Sequence, residues 1–316
     1  MKKDSNIKNI LIKNNTYLIF LGLVIACALL SDTFLTVMNI RNIALQQSGP
    51  ICVVLGMLFV ILTGGIDLSV GSVMALGAAA AAYMIVNWNM HFILAILITV
   101  VIGLVAGAFT GILVAYANFQ GFVASLAMMT MARGLALMIT RGAPIRMEKD
   151  TLGTLVNKEY LYPMLFIVLI AILIFVFIQK YTAFGRIVIA IGSNIKSVEL
   201  AGIHVRRYLV AVYAISGFMS ALAGIFIAAR SSTGSATIGN AQELDAIAAC
   251  VIGGASLAGG KGNVTKAVVG ALVLALISNI MNLCAVPAYP QDVIKGVIII
   301  LAVLLQLMTD KSDTTV

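Results

Sequence analysis

The sequence predicts an all-α integral membrane protein with about ten transmembrane helices, and three observations support this prediction. Of the 316 residues, 61% are hydrophobic and only 10% are charged, whereas soluble domains carry about 25% charged residues. The mean hydropathy is +1.09. Uncharged apolar runs recur along the whole chain, and a helix needs about 20 such residues to cross the hydrocarbon core. The lipid bilayer is therefore the expected solvent.

The apolar runs give the predicted spans in chain order. They cover residues 14–31, 42–66, 68–90, 92–117, 122–140, 161–178, 209–229, 244–258, 267–286 and 293–308. The stretch QQSGP interrupts the second run early, and the third, eighth and tenth runs are the weakest. Eight or nine spans is therefore the alternative count. The chain, 1–316, is predicted to form a single transmembrane domain.

Small residues on two of the predicted spans indicate close helix packing. They are Gly103, Gly107 and Gly111 in the fourth span, and Gly217, Ala221 and Gly224 in the seventh. Helices in lipid gain little from burying apolar groups against each other, so small residues mark the places where backbones approach. We expect these faces to pack against other helices rather than to bind a ligand.

Lysine and arginine residues near the span ends set the predicted orientation. Four lysines lie in the N-terminal tail, 1–13, which is placed in the cytoplasm, and ten spans return the C-terminal tail, 309–316, to the same side. The gap at 179–207 then faces the cytoplasm, in agreement with its five basic residues. The gap at 141–160 conflicts with the rule, because it faces outward yet holds four basic residues.

Several function classes lack the residues that they need. The net charge of +8 does not indicate a nucleic-acid partner, because the basic residues lie in short gaps between apolar runs. The four cysteines are scattered and no His/Cys cluster exists, so neither a metal site nor a cofactor is predicted. The stretch GGASLAGGKGNVT departs from a phosphate-binding loop, because Ala255 and Gly262 stand where glycine and Ser or Thr are required.

A membrane enzyme and a secondary carrier are the rival classes. An intramembrane protease needs a Ser–His arrangement or paired aspartates within its spans, and no histidine lies mid-span. No catalytic residue is therefore predicted. Proton-coupled carriers place several ionisable groups inside spans, whereas Arg133 is the one clear mid-span charge here. A path for a neutral solute, lined by uncharged polar groups, fits better.

The stretch GGIDLSVGSVMALGA, 64–78, predicts a break between the second and third spans. Gly64 and Gly65 are expected to end the second span, since glycine weakens a helix and accepts left-handed angles. Asp67 is expected to cap the N–H groups of the next helix, with help from Ser69. The segments 64–71 and 253–260 share the pattern Gly-Gly-x-x-Leu-small-x-Gly. An internal repeat and a coincidence both remain open.

The gap at 179–207 predicts a short helix lying across the membrane face. Ser193 or Asn194 is the candidate N-cap and Gly202 is the candidate C-terminal stop, which places the helix at 195–201. An ordinary loop helix and a knob that docks into another protein both fit this pattern.

Four collinear stretches together resemble one family. They are GGIDLSVGSVMALGA, FGRIVIAIGSNIKSVELAGI, YAISGFMSALAGI and ELDAIAACVIGGASLAGGKG. They resemble signature stretches of the sugar-importing ABC permeases, the membrane subunits of ribose-, xylose-, galactose- and autoinducer-2-type importers. The resemblance runs from about residue 39 to residue 303.

The resemblance implies a ten-helix permease in the bacterial cytoplasmic (inner) membrane, with three protein partners besides the membrane lipid. These are a cytoplasmic ATPase that binds the ATP, a second permease copy or paralogue, and an extracytoplasmic sugar-binding protein. The helix at 195–201 then resembles the coupling helix that contacts the ATPase. Its implied coupling residues are Ser193, Asn194, Glu199, Leu200 and Gly202.

A sugar presents hydroxyl groups and no charge, so the implied path should be polar and neutral. The candidates are Gln46, Gln47, Ser69, Ser72, Asn279 and Asn282. The chain departs from the family pattern at Lys266-Ala267, at Asn279-Ile280 and at residues 283–286. These departures leave the solute open and keep a heterodimer with a paralogue as an alternative. A nucleoside or branched-chain amino-acid permease of similar fold is the nearest alternative function.

Overall fold

The computed structural model describes residues 15–148, 151–157, 159, 162–287, 289–291, 293–298, 300 and 304. The helices are α1 (Asn15–Leu30), α2 (Val37–Leu62), α3 (Val70–Asn87), α4 (Phe92–Ala115), α5 (Gly121–Thr140), α6 (Pro163–Tyr181), α7 (Ala183–Ser193), α8 (Ile195–Leu200), α9 (Val205–Ser231), α10 (Gln242–Ile252) and α11 (Val264–Leu283). A 3₁₀ turn covers Leu152–Val156, and the two-residue strands β1 (Ile145–Arg146) and β2 (Thr233–Gly234) pair antiparallel. The predicted all-α class is confirmed.

Seven of the described helices are long and apolar enough to cross a membrane: α2, α3, α4, α5, α6, α9 and α11. The helix α1 has 16 residues and α10 has 11, which is short of the roughly 20 that a full crossing needs. The tails 1–13 and 309–316, and half of the predicted tenth span 293–308, lie outside the described residues. The chain is thus a multi-pass membrane protein, and helix length alone accounts for seven crossings rather than ten.

The connections between helices gather at two ends of the bundle. At one end, the guanidinium of Arg206 lies 5.6 Å from the ring centre of Tyr116, which joins the α4–α5 turn to the start of α9. At the same end, the N–H of Gly260 donates to the carbonyl of Leu62 over 3.0 Å. The α6–α9 connection, with α7 and α8, therefore lies at what we call the coupling end. The β1–β2 pair places the described part of the 141–162 connection at the opposite end.

The stretch QQSGP does not interrupt the second helix, which corrects the sequence prediction. Helix α2 runs unbroken through Pro50, and its residues from Ile51 to Leu62 are all buried. A Cβ at Gly49 would lie only 3.2 Å from the carbonyl oxygen of Ala223, so α2 packs closely on α9 at this point. Burial against neighbouring helices outweighs the local helix-breaking tendency of glycine and proline.

Helix α9 holds the bundle together through contacts between backbones. A Cβ added at Gly103 or Gly107 of α4 would overlap the α9 backbone at Gly217 or Tyr213, and one at Gly224 would overlap the carbonyl of Met74 in α3. The small residues therefore pack helix on helix, as expected. The helices α2, α3 and α9 are largely buried, whereas α4, α5 and α6 expose apolar side chains along one face.

The Gly107→Ala variant tests this packing. Its methyl group would overlap the carbonyl oxygen of Tyr213, and overpacking of this kind typically costs about 1–3 kcal/mol. We expect the variant to unfold at a lower temperature in detergent than the parent protein. The matched control is Gly134→Ala in α5, where nothing lies within 4 Å of the new Cβ. Equal unfolding temperatures for the two variants would contradict the packing account.

Candidate transport site

The predicted break after the second span is present, and its geometry is well defined. The N–H of Gly64 donates to the carbonyl of Ile61 over 2.8 Å, and the N–H of Gly65 donates to that of Val60 over 3.2 Å. Gly64 has a φ of +80°, which favours glycine. This pair of bonds is the Schellman arrangement that ends many helices.

The side chain of Asp67 links the connection between α2 and α3 to α9 by hydrogen bonds. It is fully buried, at 0% exposure. Its Oδ1 accepts hydrogen bonds from the N–H of Ser69 at 3.0 Å and from the Ser69 hydroxyl at 2.6 Å. Its Oδ2 accepts from the hydroxyl of Ser216 in α9 at 2.7 Å. The capping prediction was wrong in detail, because Ser69 occupies the cap position and Asp67 bonds to Ser69 and α9 instead of the first turn of α3.

A cavity of about 260 Å³ lies among α2, α9, α10 and α11. Its polar lining consists of Gln46, Gln47, Arg230, Gln242, Asp245, Ser278 and Lys295. Its remaining lining includes Val54, Ala249 and Leu274. The wall of the cavity therefore includes both Gln46 and Gln47, but the cavity is not neutral, because two basic side chains and one carboxyl group also face it.

Pro50 in α2 contributes to the wall of the same cavity. Proline has no N–H, so the carbonyl of Gln46, four residues earlier, cannot receive its usual helical hydrogen bond from residue 50. The QQSGP stretch thus keeps its helical conformation, and its amide side chains lie beside a backbone carbonyl that lacks its helical hydrogen bond. Gln46 and Gln47 were predicted as path residues, whereas the contribution of Pro50 to the cavity wall was not predicted.

The other predicted path residues do not line this cavity. Asn279 forms a reciprocal pair of hydrogen bonds with Asn39 of α2, at 3.0 and 2.9 Å. The amide oxygen of Asn282 accepts from Gln291 at 2.9 Å. Ser69 is buried against Asp67, as described above, and Ser72 lies in a separate cavity beside Arg133 and Glu243. Asn279 therefore joins α2 to α11 in this structure.

Arg133 holds the irregular segment between α9 and α10, which we call the 232–241 segment. This segment runs along α3, because a Cβ at Gly234 would overlap Ala82 and one at Gly239 would overlap the carbonyl of Gly71. The guanidinium of Arg133 donates to the carbonyls of Ala236 and Ile238, the second at 2.9 Å. Since unpaired carbonyls are costly at membrane depth, this mid-span charge serves the backbone rather than a proton relay.

The predicted short helix is present as α8 at the coupling end. Of the two candidate caps, Asn194 is the one used, because its Oδ1 accepts from the N–H of Ser197 at 3.1 Å. The Ser193 hydroxyl donates instead to the carbonyl of Ile189 at 3.1 Å. Gly202 follows with a φ of +77° and ends the helix region as predicted.

The outward surface of α8 is apolar at its tip and charged beside it. Leu200 is 89% exposed, and Glu199 is exposed next to it. Val198 is buried against Ile191 and Val205, so α8 is fixed on α7 and on the start of α9. Helix α7 itself was not predicted, although the FGRIVIAIGS stretch has an amphipathic pattern that could have indicated it.

The two glycine-rich segments, 64–71 and 253–260, end the helices that precede them, α2 and α10, in the same way. After α10, the N–H of Gly254 donates to the carbonyl of Val251 at 2.8 Å, and the N–H of Ala255 donates to that of Cys250 at 2.9 Å. Gly254 has a φ of +81°. The structure therefore aligns Gly64 with Gly254, one residue away from the sequence match. The two segments also touch, because a Cβ at Gly64 would lie 3.3 Å from the carbonyl oxygen of Ala258.

The Asp67→Asn and Asp67→Leu variants test the fastening role of Asp67. An asparagine side chain can accept from Ser69 and can donate to the Ser216 hydroxyl, so we expect normal accumulation in the membrane and normal thermal stability. A leucine leaves Ser69 and Ser216 without their buried partner, so we expect reduced accumulation. A well-folded Asp67→Asn variant without transport activity would contradict this account, because the charge itself would then be required.

Comparisons with known proteins agree with the resemblance that the sequence indicates. Residues 39–303 match the model of the family described as branched-chain amino acid transport system / permease component. The chain is 38% identical over 313 residues to the ribose import permease protein RbsC of Haemophilus influenzae, covering 96% of this chain and 97% of the relative. It is 39% identical over 294 residues to RbsC of Bacillus subtilis, covering 90% and 91% of the two chains.

A further relative is the xylose transport system permease protein XylH of Escherichia coli. The two sequences are 34% identical over 335 residues, and the alignment covers 85% of each chain. No solved structure matches the chain. The family match covers most of the chain, and three relatives exceed 30% identity over at least 85% of its length. The chain therefore belongs to this family of ABC importer permeases.

Proposed function

We propose that this chain is the transmembrane permease subunit of a sugar-type ABC importer in the bacterial cytoplasmic membrane. The observation that carries the proposal is the pairing of a polar cavity among the helices with an exposed helix, α8, at the coupling end. The names of the ribose and xylose relatives support a sugar as solute. ATP hydrolysis is assigned to a separate ATPase subunit, so the chain itself needs no cofactor.

The proposed topology is a single domain with both termini in the cytoplasm. The connections alternate between the two ends of the bundle, which supports a crossing by α1 and by α10 together with the 232–241 segment. A helix in the 293–308 region would bring the number of crossings to ten. In this arrangement the coupling end faces the cytoplasm and the 141–162 connection faces outward, despite its basic residues.

The proposed partners follow from this arrangement. The ATPase binds at the exposed tip of α8, and an extracytoplasmic sugar-binding protein delivers the solute at the opposite end. A second permease copy or a paralogue completes the membrane unit. The amides of Gln46, Gln47 and Gln242 and the hydroxyl of Ser278 supply the donors and acceptors that sugar hydroxyls require.

An amino acid is the second candidate solute, because the cavity carries charges. Arg230 and Lys295 are suited to a carboxylate, and the Asp245 side chain is suited to an ammonium group. The family description, which includes branched-chain amino acid transport, agrees with this candidate. Separate uptake assays with labelled ribose or xylose and with labelled leucine distinguish the two, since a sugar permease accumulates only the sugar and an amino-acid permease only leucine.

The Glu199→Arg variant tests the docking surface of α8. Reversing this exposed charge beside Leu200 should weaken ATPase binding while the buried contacts of Val198 keep α8 folded. We expect less ATPase to co-purify with the variant, and less sugar-stimulated ATP hydrolysis. The matched control for ATPase co-purification is Glu148→Arg, which makes the same exposed charge reversal at the opposite end of the bundle. Unchanged complex yield and unchanged stimulated hydrolysis in Glu199→Arg would contradict the docking assignment.

A Gln46→Leu/Gln47→Leu double variant tests the cavity as the solute path. Replacing both amides removes hydrogen-bonding groups from its wall without changing α8, so the ATPase should still co-purify. We expect the rate of sugar uptake to fall about tenfold or more, because losing polar contacts to a bound solute costs about 1–3 kcal/mol. The control is Gln120→Leu, an exposed glutamine at the start of α5 outside the cavity. Normal uptake by the double variant would exclude the cavity as the path.

A further inference from the structure

The end of α7 meets two other backbones directly at the coupling end. A Cβ at Gly192 would overlap the carbonyl oxygen of Leu62, the last residue of α2, and would lie 2.5 Å from the nitrogen of Gly260. Gly192 does not have a positive φ, so an L-residue could adopt its backbone conformation. The absence of a side chain at this position is therefore required by the contact and not by the backbone angle.

The same contact is reinforced from the α10–α11 connection. The N–H of Gly260 donates to the carbonyl of Leu62 at 3.0 Å. A Cβ at Gly259 would lie 2.8 Å from the nitrogen of Gly64 and 2.9 Å from the Cα of Gly192. Three stretches of backbone thus touch at one point with no side chain between them. We call Leu62, Gly64, Gly192, Gly259 and Gly260 the glycine junction.

A buried amide side chain on α6 also holds the α10–α11 connection, at the end that leads into α11. Gln179, near the end of α6, is 6% exposed. Its Nε2 donates to the carbonyl of Gly262 at 3.0 Å, and its Oε1 accepts from the N–H of Val264 at 2.9 Å. These two bonds hold the start of α11 against α6, so the connection that carries Gly260 is anchored on both sides of the junction.

The junction joins the docking helix to the walls of the cavity. On one side, α8 begins three residues after Gly192, at Ile195, because Asn194 caps it. On the other side, α2 carries Gln46 and Gln47, and α11 carries Leu274 and Ser278, all of which line the cavity. Contacts between backbones have no flexible side chains to absorb displacement, and packed interiors transmit strain.

We infer that the glycine junction is the place where movement of α8 passes to α2 and α11, and that Gly192 is a positioning residue for this coupling. The inference rests on the proposed function, since it assumes that an ATPase moves α8. When the ATPase closes, α8 and the end of α7 move together, and the junction carries this movement to both walls of the cavity. Wedging the junction open should therefore separate ATP hydrolysis from transport.

The test is the Gly192→Ala variant, assembled with its ATPase subunit and reconstituted in vesicles. The surface of α8 is unchanged, so we expect normal co-purification of the ATPase and continued ATP hydrolysis. We expect the amount of solute taken up per ATP hydrolysed to fall about tenfold. An overpacking cost of about 1.4 kcal/mol in one conformation lowers the population of that conformation relative to the others tenfold. The control is Gly134→Ala, which adds the same methyl group in open space.

The outcomes are distinct. A Gly192→Ala complex that keeps the parent ratio of uptake to hydrolysis overturns the inference, whereas a parent complex that binds no ATPase overturns the proposed function. If Gly192→Ala does not accumulate in the membrane, Gln179→Met serves in its place, because it frees the connection from α6 without adding atoms to the junction. A parent-like ratio in a well-assembled Gln179→Met complex also overturns the inference, and a lowered ratio supports it.

Discussion

A membrane protein must pair the polar groups of its backbone within the protein wherever lipid replaces water, and this constraint shapes the structure. The chain leaves the helical conformation between α2 and α3 and again between α9 and α10. Both irregular segments pack on neighbouring helices. The buried residues within them include Asp67, Ser69, Gly234 and Ala236. If Gly103, Gly107 or Gly217 carried a side chain, the backbones of α4 and α9 could not approach as closely as they do.

Buried or half-buried polar side chains pair with the irregular backbone in each case. Asp67 binds the N–H of Ser69, Arg133 binds two carbonyls of the 232–241 segment, and Gln179 binds a carbonyl and an N–H before α11. A charge inside a membrane span often marks a functional group. In this chain Asp67 and Arg133 instead hold the segments that position α3 and α10, which leaves Gln46 and Gln47 among the groups available to a solute.

The sequence predicts well those features that depend on neighbouring residues. The glycines after α2, the asparagine cap of α8 and the position of most spans follow from local rules for helix ends and apolar length. Pairings between distant residues could not be predicted, because no local pattern specifies them. Asn279 bonds to Asn39, 240 residues away, so it looked like a free polar group. QQSGP looked like a break, because the packing of α2 on α9 is not visible in the sequence.

The central claim is that this chain moves a sugar only when an ATPase acts on it from the coupling end. The most direct measurement is uptake of labelled ribose and xylose by vesicles that contain the purified permease, with its binding protein and with or without its ATPase subunit. The account predicts accumulation of a sugar that requires both the ATPase and ATP. Equal accumulation without the ATPase, driven by a proton gradient, would contradict it and would identify a secondary carrier.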